Sequence, residues 1–478
     1  MLEGQIEFST IKFSELDGIS NRIDAEFYQR KHLLLEKKMK MVGSSQLGTS
    51  GVKLDCSAFY PSITDFYNFE GAGVPFLRVN EIQNGLVKTT EGTAFLPEFI
   101  LDANQSTICR ASPFDIIIAK GGNSLAKLGL VPEDYPTYAL SRDLIALKTD
   151  GLMRNKYFVW LFLHCDFGQS LLWRTASQTG QPHLTLPSIS ALNIPIFSEA
   201  FEVIAEKLYR QSEISKSRAV TAYGDAESLL LSTISMVNFL SKTESVSIKS
   251  FKDSFGSTGR LDAEHYQPKY EELYKALAKK NRVFKLGDFL SFNQRGTQPY
   301  YAEEGLPVVN SKHVQRGHVN MGDNRFATMS DNTNAAVIKQ GDVLMNGTGV
   351  GTIGRAAPYL HAADALPDNH VTVLRTAAFS PICLALYLNS IVGQYQVDQH
   401  FKGSSGQIEL YPTDIANFWC PELAQSTQQS IDKLAQQSFT LKAQSERLLE
   451  VAKRAVEIAI EQNEAAGMAY LAREGALT

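Results

Sequence analysis

Ile431, Leu434, Ser438, Leu441, Ser445, Leu448, Ala452, Ala455 and Ala459 recur in alternating steps of three and four. That spacing keeps a narrow stripe on one side of a helix and predicts a coiled-coil seam, which needs a partner helix. Subtracting 226 finds a second stripe: Ala205, Leu208, Ser212, Ser215, Ala219, Ala222, Ala226, Leu229 and Thr233. Two long helices are therefore predicted, over Glu199 to Ile234 and Glu422 to about Ala466, packed on each other as an antiparallel pair. A two-in-seven stripe suits a seam better than the broader face with which a helix covers its own domain. Gly224, where the second helix has Glu450, predicts a weak point or kink. Shorter amphipathic helices are predicted over Asp24 to Met41 and Asp262 to Lys279, each followed by short strands broken by Gly, Pro and Asn turns.

The same order of elements is written twice. Arg22-Ile23-Asp24-Ala25-Glu26-Phe27-Tyr28-Gln29 returns as Arg260-Leu261-Asp262-Ala263-Glu264-His265-Tyr266-Gln267, six of eight positions being identical at an offset of 238 (Asp24 to Asp262). Val74-Pro75-Phe76-Leu77-Arg78-Val79-Asn80 is answered by Leu306-Pro307-Val308-Val309-Asn310-Ser311, and Asp115-Ile116-Ile117-Ile118 by Asp342-Val343-Leu344-Met345. Gly168-Gln169 matches Gly393-Gln394, Gly180-Gln181 matches Gly406-Gln407, and Pro195 matches Pro421. A unit of about 230 residues is too long for a solenoid repeat and fits a duplicated domain with its own core. The expected fold class is mixed α/β, as two tandem globular domains (1–198 and 246–421), each followed by a long helix (199–245 with its linker, and 422–478).

Composition narrows the partners. With 44% hydrophobic and 20% charged residues the chain is ordinary globular material. Its net charge of -5 gives no global basic field, so any contact with DNA has to come from local patches. The five cysteines are scattered and contain no C-x-x-C pair, which predicts buried thiols in a reducing compartment. No basic-then-apolar leader opens the sequence and no run of about 18 apolar residues occurs, so a cytoplasmic protein without a membrane partner is expected.

The paired R-[IL]-D-A-E-x-Y-Q segments, the Pro-Phe-Leu-Arg-Val-Asn and Pro-Val-Val-Asn-Ser strands, the glycine-rich stretch Asn346 to Gly354 and the paired long helices, in this order, resemble the specificity subunit of type I restriction-modification systems. The resemblance spans essentially the whole chain. It implies a non-catalytic, DNA-binding subunit of a phage-defence complex. Each mixed domain would be a target-recognition domain reading half of a split site in double-stranded DNA. The helices would set the spacer and dock methyltransferase subunits. It further implies two methyltransferase and two restriction subunits as partners, with S-adenosylmethionine, ATP and magnesium held by those partners and no cofactor in this chain. A 36-residue helix is about 54 Å long, comparable to about 16 base pairs.

Candidate DNA-binding residues fall in matching places of the two units. Gly121-Gly122-Asn123-Ser124, flanked by Lys120 and Lys127, pairs with the loop holding Asn346, Thr348 and Gly351, flanked by Arg355. The second loop contains G-x-G-x-x-G, yet no helix is expected before Pro358 and the P-loop Lys-Ser pair is missing, so a dinucleotide site is disfavoured. A structural turn and a phosphate-binding backbone loop remain. Gln178, Thr179, Gln181 and His183 pair with Lys402, Ser404, Ser405 and Gln407, amides and hydroxyls suited to base edges or phosphates, or to a solvated surface loop. Arg142 and Asn369, each ahead of an apolar strand, are similar candidates. The predicted helix seam centres on Leu208, Leu229, Ile431, Leu434, Leu441 and Leu448.

Catalytic chemistry finds little in the residues. His361, Asp364, Asp368 and His370 could suggest a metal, but without helical placement they read as loop residues, and no metal site is expected. No G-x-S-x-G elbow, Asn/Asp-Pro-Pro-Tyr/Phe segment or Walker loop occurs. Two alternatives stand beside DNA reading: a helical scaffold with two protein-binding domains, favoured by the negative charge, and a nuclease with a hidden acidic metal site.

Overall fold

The structure is a computed structural model that describes residues 9–16, 22–90, 92–176, 182–239, 241, 246–328, 336–403 and 408–475. The chain divides into two compact units: Met1–Ser215 with Ala443–Thr478, and Lys216–Lys442.

Unit 1 is built on two sheets. One has four strands, in the order Ala94–Leu96, Val74–Leu77 (β1), Tyr138–Leu140, Arg110–Ala111. The other has six, in the order Lys53–Cys56, Leu144–Lys148, Ile116–Ala119 (β2), Leu128–Leu130, Leu86–Val87, Ile82–Gln83. Tyr138–Leu140 (β3) runs parallel to β1, whereas Leu144–Lys148 (β4) is antiparallel to β2. The unbroken apolar run of β2 follows from burial on both faces. Ile116 and Ile118, with Ile145 and Leu147 of β4, face a core filled by the helix Lys156–His164. Ile117 and Ala119, with Leu144 and Ala146, face Leu77, Tyr138 and Leu140 of the other sheet.

Unit 2 repeats the plan. Its first sheet has the order Leu290–Arg295, Val371–Thr376, Val343–Asn346, Ala356–Pro358, and its second Tyr301–Ala302, Phe326–Ala327, Leu306–Val309, Leu366–Pro367. Here Leu306–Val309 (β5) and Leu366–Pro367 (β7) are the parallel pair, while Val343–Asn346 (β6) and Val371–Thr376 (β8) are antiparallel. The faces divide as before, with Val343 and Met345 on one core and Leu344 on the other.

The long helices are Glu199–Thr233 and Gln425–Glu461. Within unit 1 the start of the first lies antiparallel to the end of the second: Phe201, Ala205, Leu208 and Tyr209 share a core with Val451, Ala452, Ala455 and Ala459, and Ser212 Oγ bonds Ser445 Oγ at 2.9 Å. Within unit 2, Ala226 and Leu230 pack with Ile431 and Ala435, and Ser438 Oγ donates to Ala219 O at 2.6 Å. Of the seam residues, Leu208 and Ile431 are fully buried; Leu229, Leu434 and Leu448 are partly buried against these cores, and Leu441 is half-buried. The small residues Ser212, Ser215, Ala219 and Ala222 are also buried, whereas Thr233 is exposed. The first helix runs through Gly224 without interruption.

Three boundaries differ from the sequence expectation. The short helices are Arg30–Val42 and Pro268–Lys280, starting about a turn and a half late. In the first copy the Asp24 carboxylate ties down Arg22 and the Phe27 amide in a turn; in the second Pro268 can only stand at a helix start. The second long helix stops at Glu461, because Asn463 caps a separate helix, Glu464–Arg473, by accepting from the Ala466 amide. That helix packs back through Gly467, where a Cβ would lie 2.8 Å from Ala455 O.

Candidate nucleic-acid interface

The residues that repeat between the units do structural work. Arg22 is bonded to both oxygens of Asp24 at 2.6 and 2.7 Å and donates to the carbonyls of Arg174 and Ala176 at the end of the helix Asp166–Thr175. Arg260 holds Asp262 and the carbonyls of His400 and Phe401 in the same way, at the end of Ile391–His400. Tyr28 and Tyr266 each donate to the carbonyl of their own arginine. Gln169 donates to Ala126 O and Leu163 O, and Gln394 to Gly354 O and Leu388 O. Gly168 and Gly393 lie where a Cβ would come within 2.0 Å of Phe162 O and 2.3 Å of Leu388 O, so only glycine fits. The paired motifs thus latch loops of each unit onto its own helix ends.

Residues that differ between the units gather at the carboxyl ends of the parallel strands. In unit 1 Arg78 leaves β1 and Ser141 leaves β3, joined by Ser141 N–H to Leu77 O at 2.9 Å; Lys120 leaves β2, its amide donating to Asp143 O at 2.9 Å. With Tyr60, Tyr67, Phe76 and Arg142 they line a recess of about 420 Å³. The Arg142 guanidinium sits 5.4 Å from the ring centroids of both Phe59 and Tyr60, and Phe59 is 78% exposed. Tyr67 packs on Phe76 at 5.5 Å. Burial holds the Tyr60 and Tyr67 phenols above their ordinary range, so both are neutral rings with a hydrogen-bonding tip. Arg78 is fixed by Glu81 at 3.2 Å and by the carbonyl of Gly92.

Unit 2 builds the same corner with other chemistry. Asn310 leaves β5 and Asp368 leaves β7, joined by Asp368 N–H to Val309 O at 3.0 Å, and the Gly347 amide reaches His370 O at 2.8 Å. Where unit 1 has Ser141, Arg142 and Asp143, unit 2 has Asp368, Asn369 and His370. His370 Nδ1 lies 2.8 Å from Thr348 Oγ1. Asp368 is buried, and desolvation pushes its carboxyl above the ordinary range. Beside it Arg295 donates to Asn369 O and contacts Glu409, which also bonds the Tyr411 hydroxyl.

The sequence candidates take several positions. Lys120 and Arg142 line the unit 1 recess. Asn123 is exposed and Ser124 half-buried on the adjoining turn Gly122–Ser124; exposed Lys127 reaches Val79 O at 3.4 Å. His183 is exposed and bridges to Gly121, where a Cβ would lie 2.6 Å from its ring. In unit 2 Thr348 and Asn369 are half-buried at the corner, and Arg355 is half-buried with one amine 3.4 Å from Gln315 Oε1. One candidate differs from expectation. Asn346 is fully buried, its amide donating to Ser311 O and Val314 O, because the interior end of β6 leaves those carbonyls in need of a donor. Lys402 is exposed, its Nζ paired with Asp414 at 2.9 Å. Gln178, Thr179, Gln181, Ser404, Ser405 and Gln407 lie outside the described residues.

The sequence candidates did not include Tyr60, Tyr67, Ser141 and Asp143 at the unit 1 corner or Arg295 and Tyr411 beside the unit 2 corner. The available signal was the Phe59-Tyr60-Pro61 turn, an aromatic pair placed in a loop. The glycine-rich stretch after β6 is followed by the strand Ala356–Pro358 and closes on itself through Gly354 N–H to Asn346 O, unlike a dinucleotide turn. His361, Asp364, Asp368 and His370 do not converge: among the described residues no group of three metal-ligating side chains is arranged to hold an ion. Among them, too, no helix is long and apolar enough to cross a membrane.

No family model and no curated protein matches the sequence. Solved structures do match. A chain of a type I restriction-modification system, from work on its complex assembly and conformational transition, is 17% identical over 88% of this chain and 98% of its own, with a TM-score of 0.32. The type I S subunit from M. genitalium is 12% identical over 85% and 94%, at 0.38. The HsdS subunit from Thermoanaerobacter tengcongensis is 15% identical over 88% and 97%, at 0.28. Over most of its length the chain is therefore similar to the specificity subunits of type I restriction-modification systems.

Proposed function

We propose that this chain reads DNA sequence for a type I restriction-modification complex, each unit reading one half of a split site with the corner at its parallel strand ends. The observation that carries this is a corner built twice on repeated latch residues but furnished differently: Ser141, Arg142 and Asp143 in one unit, Asp368, Asn369 and His370 in the other. Two copies of one scaffold with different hydrogen-bonding edges are what reading two different half-sites requires. The long helices set the number of unread base pairs and offer the docking surface for two methyltransferase subunits, to which two restriction subunits add. On this reading the chain catalyses nothing itself, and S-adenosylmethionine, ATP and magnesium act on the partners.

The test is co-purification with the methyltransferase encoded beside it, followed by modification-sensitive sequencing of host DNA. Methylation at a split, asymmetric motif is expected; absence of both association and motif would overturn the proposal. Salt dependence separates it from the scaffold alternative, because phosphate contacts release counterions and a protein-binding scaffold releases none.

A further inference from the structure

The unit 1 recess contains a group that the fold leaves unanswered. Ser141 lines it, is only 6% exposed, and its Oγ has no hydrogen-bond partner. A buried hydroxyl without a partner costs about 1–3 kcal/mol, which a ligand's donor or acceptor would recover. Around it stand two neutral tyrosine rings, an exposed carboxylate, Asp143, and three cations, Lys120, Arg142 and Arg78, the last already paired with Glu81. At about 420 Å³ the recess falls within the range of about 300–1,000 Å³ that small ligands occupy.

A lone phosphate would use the cations but is repelled by Asp143 and leaves the rings idle. An apolar ligand would leave Ser141 and Asp143 unpaired. An unstacked nucleotide answers all of them: the base stacks on tyrosine, as unpaired bases do on aromatic and guanidinium planes, and its phosphate meets Lys120 and Arg142. A carboxylate beside the base selects an exocyclic amino group, and the serine hydroxyl can serve either a donor or an acceptor. We propose that this recess takes a single cytosine splayed out of the duplex, its amino group facing the Asp143 carboxylate. Unit 1 thereby reads one position of its half-site by extrusion, on top of groove contacts. The corresponding corner of unit 2 has buried Asp368 in place of Ser141 and His370, bonded to Thr348, in place of the Asp143 carboxylate. The inference rests on the DNA-reading function proposed above.

Extrusion costs least where the base is already unpaired, so a protein that captures it binds mispaired DNA more tightly. The full chain is titrated against one duplex in four forms: fully paired, and with a mispaired deoxycytidine, a mispaired thymidine or an abasic residue at one position walked along the duplex. A gain of about tenfold is expected for mispaired deoxycytidine at one register, with little for thymidine or the abasic form, which are as easily bent but lack the amino group. Ser141→Ala and the exposed-site change Asp143→Asn should each reduce the gain by about fivefold, the worth of one hydrogen bond, without lowering the melting temperature. Salt-dependent binding with equal gains for all three lesions, or a deoxycytidine gain that survives both variants, would overturn the pocket and leave DNA reading intact. Failure to bind any duplex would overturn both.

Discussion

Arg22 and Arg260 are each largely buried in their guanidinium contacts, and each closes a loop onto a helix end some 140 to 154 residues away in sequence. Arg22→Ala leaves two carbonyls and the Asp24 carboxylate without their donor, so a loss of about 2 kcal/mol is expected in denaturant unfolding, and lysine, lacking the planar fork, should not restore it. These arginines hold the Asp24 and Asp262 carboxyls below the usual carboxylate range. A depressed acid stabilises the fold while ionised, so the latch contributes at neutral pH and fades only as pH falls below that range. Buried histidines act at milder pH. Burial lowers His32, His164 and His400 from 6.5 to about 4. The unfolded chain therefore takes up their protons first, and the melting temperature should decline as pH drops from about 6.5 toward about 4, then level off with respect to these groups. A melting temperature flat across that window would contradict their burial. The repeat of Arg22 and Arg260 was visible in the sequence, but their role was not, since the carbonyls they hold belong to residues nothing in the local pattern connects to them. Asn346 was misplaced for the converse reason: a polar residue beside a glycine-rich loop looks solvent-facing until the carbonyls it meets are known.

The long helices were legible because proline-free stretches with a three-four rhythm have few other solutions. The rhythm also held information on close approach, since Ser212, Ser438 and Ser445 occupy buried positions where bulk has no room. Ser212→Leu forces a branched side chain against Ser445 and should cost about 1–3 kcal/mol, whereas Ser212→Ala loses only a hydrogen bond. The stop at Glu461 was less legible, because Asn463 followed by Glu464 is a capping signal inside an otherwise helical composition. Gly467→Ala should lift the terminal helix from Ala455 and Phe201, seen as faster amide exchange over Glu464–Arg473 with little change in the sheets of unit 1. The strand-end corners were the least legible part. They depend on parallel pairing of Val74–Leu77 with Tyr138–Leu140 and of Leu306–Val309 with Leu366–Pro367, and two short apolar runs carry no mark of which partner each will take.

For the whole molecule, the two corners predict separable effects on DNA. Asp143→His, which gives unit 1 the imidazole that unit 2 has at the matching place, should change the bases methylated in one half of a split motif and leave the other half as it was; methylome sequencing decides this. Lys120→Ala should weaken binding to all sequences alike and reduce the slope of log affinity against log salt by about one.

The division of the chain has a further consequence for the order in which the molecule is made. Unit 2 is an uninterrupted stretch, Lys216–Lys442, whereas unit 1 joins Met1–Ser215 to Ala443–Thr478. A ribosome therefore delivers everything unit 2 needs before it has delivered the last piece of unit 1. Until residues beyond 442 emerge, the face of Phe201, Ala205 and Leu208 lacks the Val451–Ile460 stripe that covers it. The half translated first is thus the half completed last, and a nascent chain stalled before that point would display an apolar helix face to chaperones while its later-made unit is already closed.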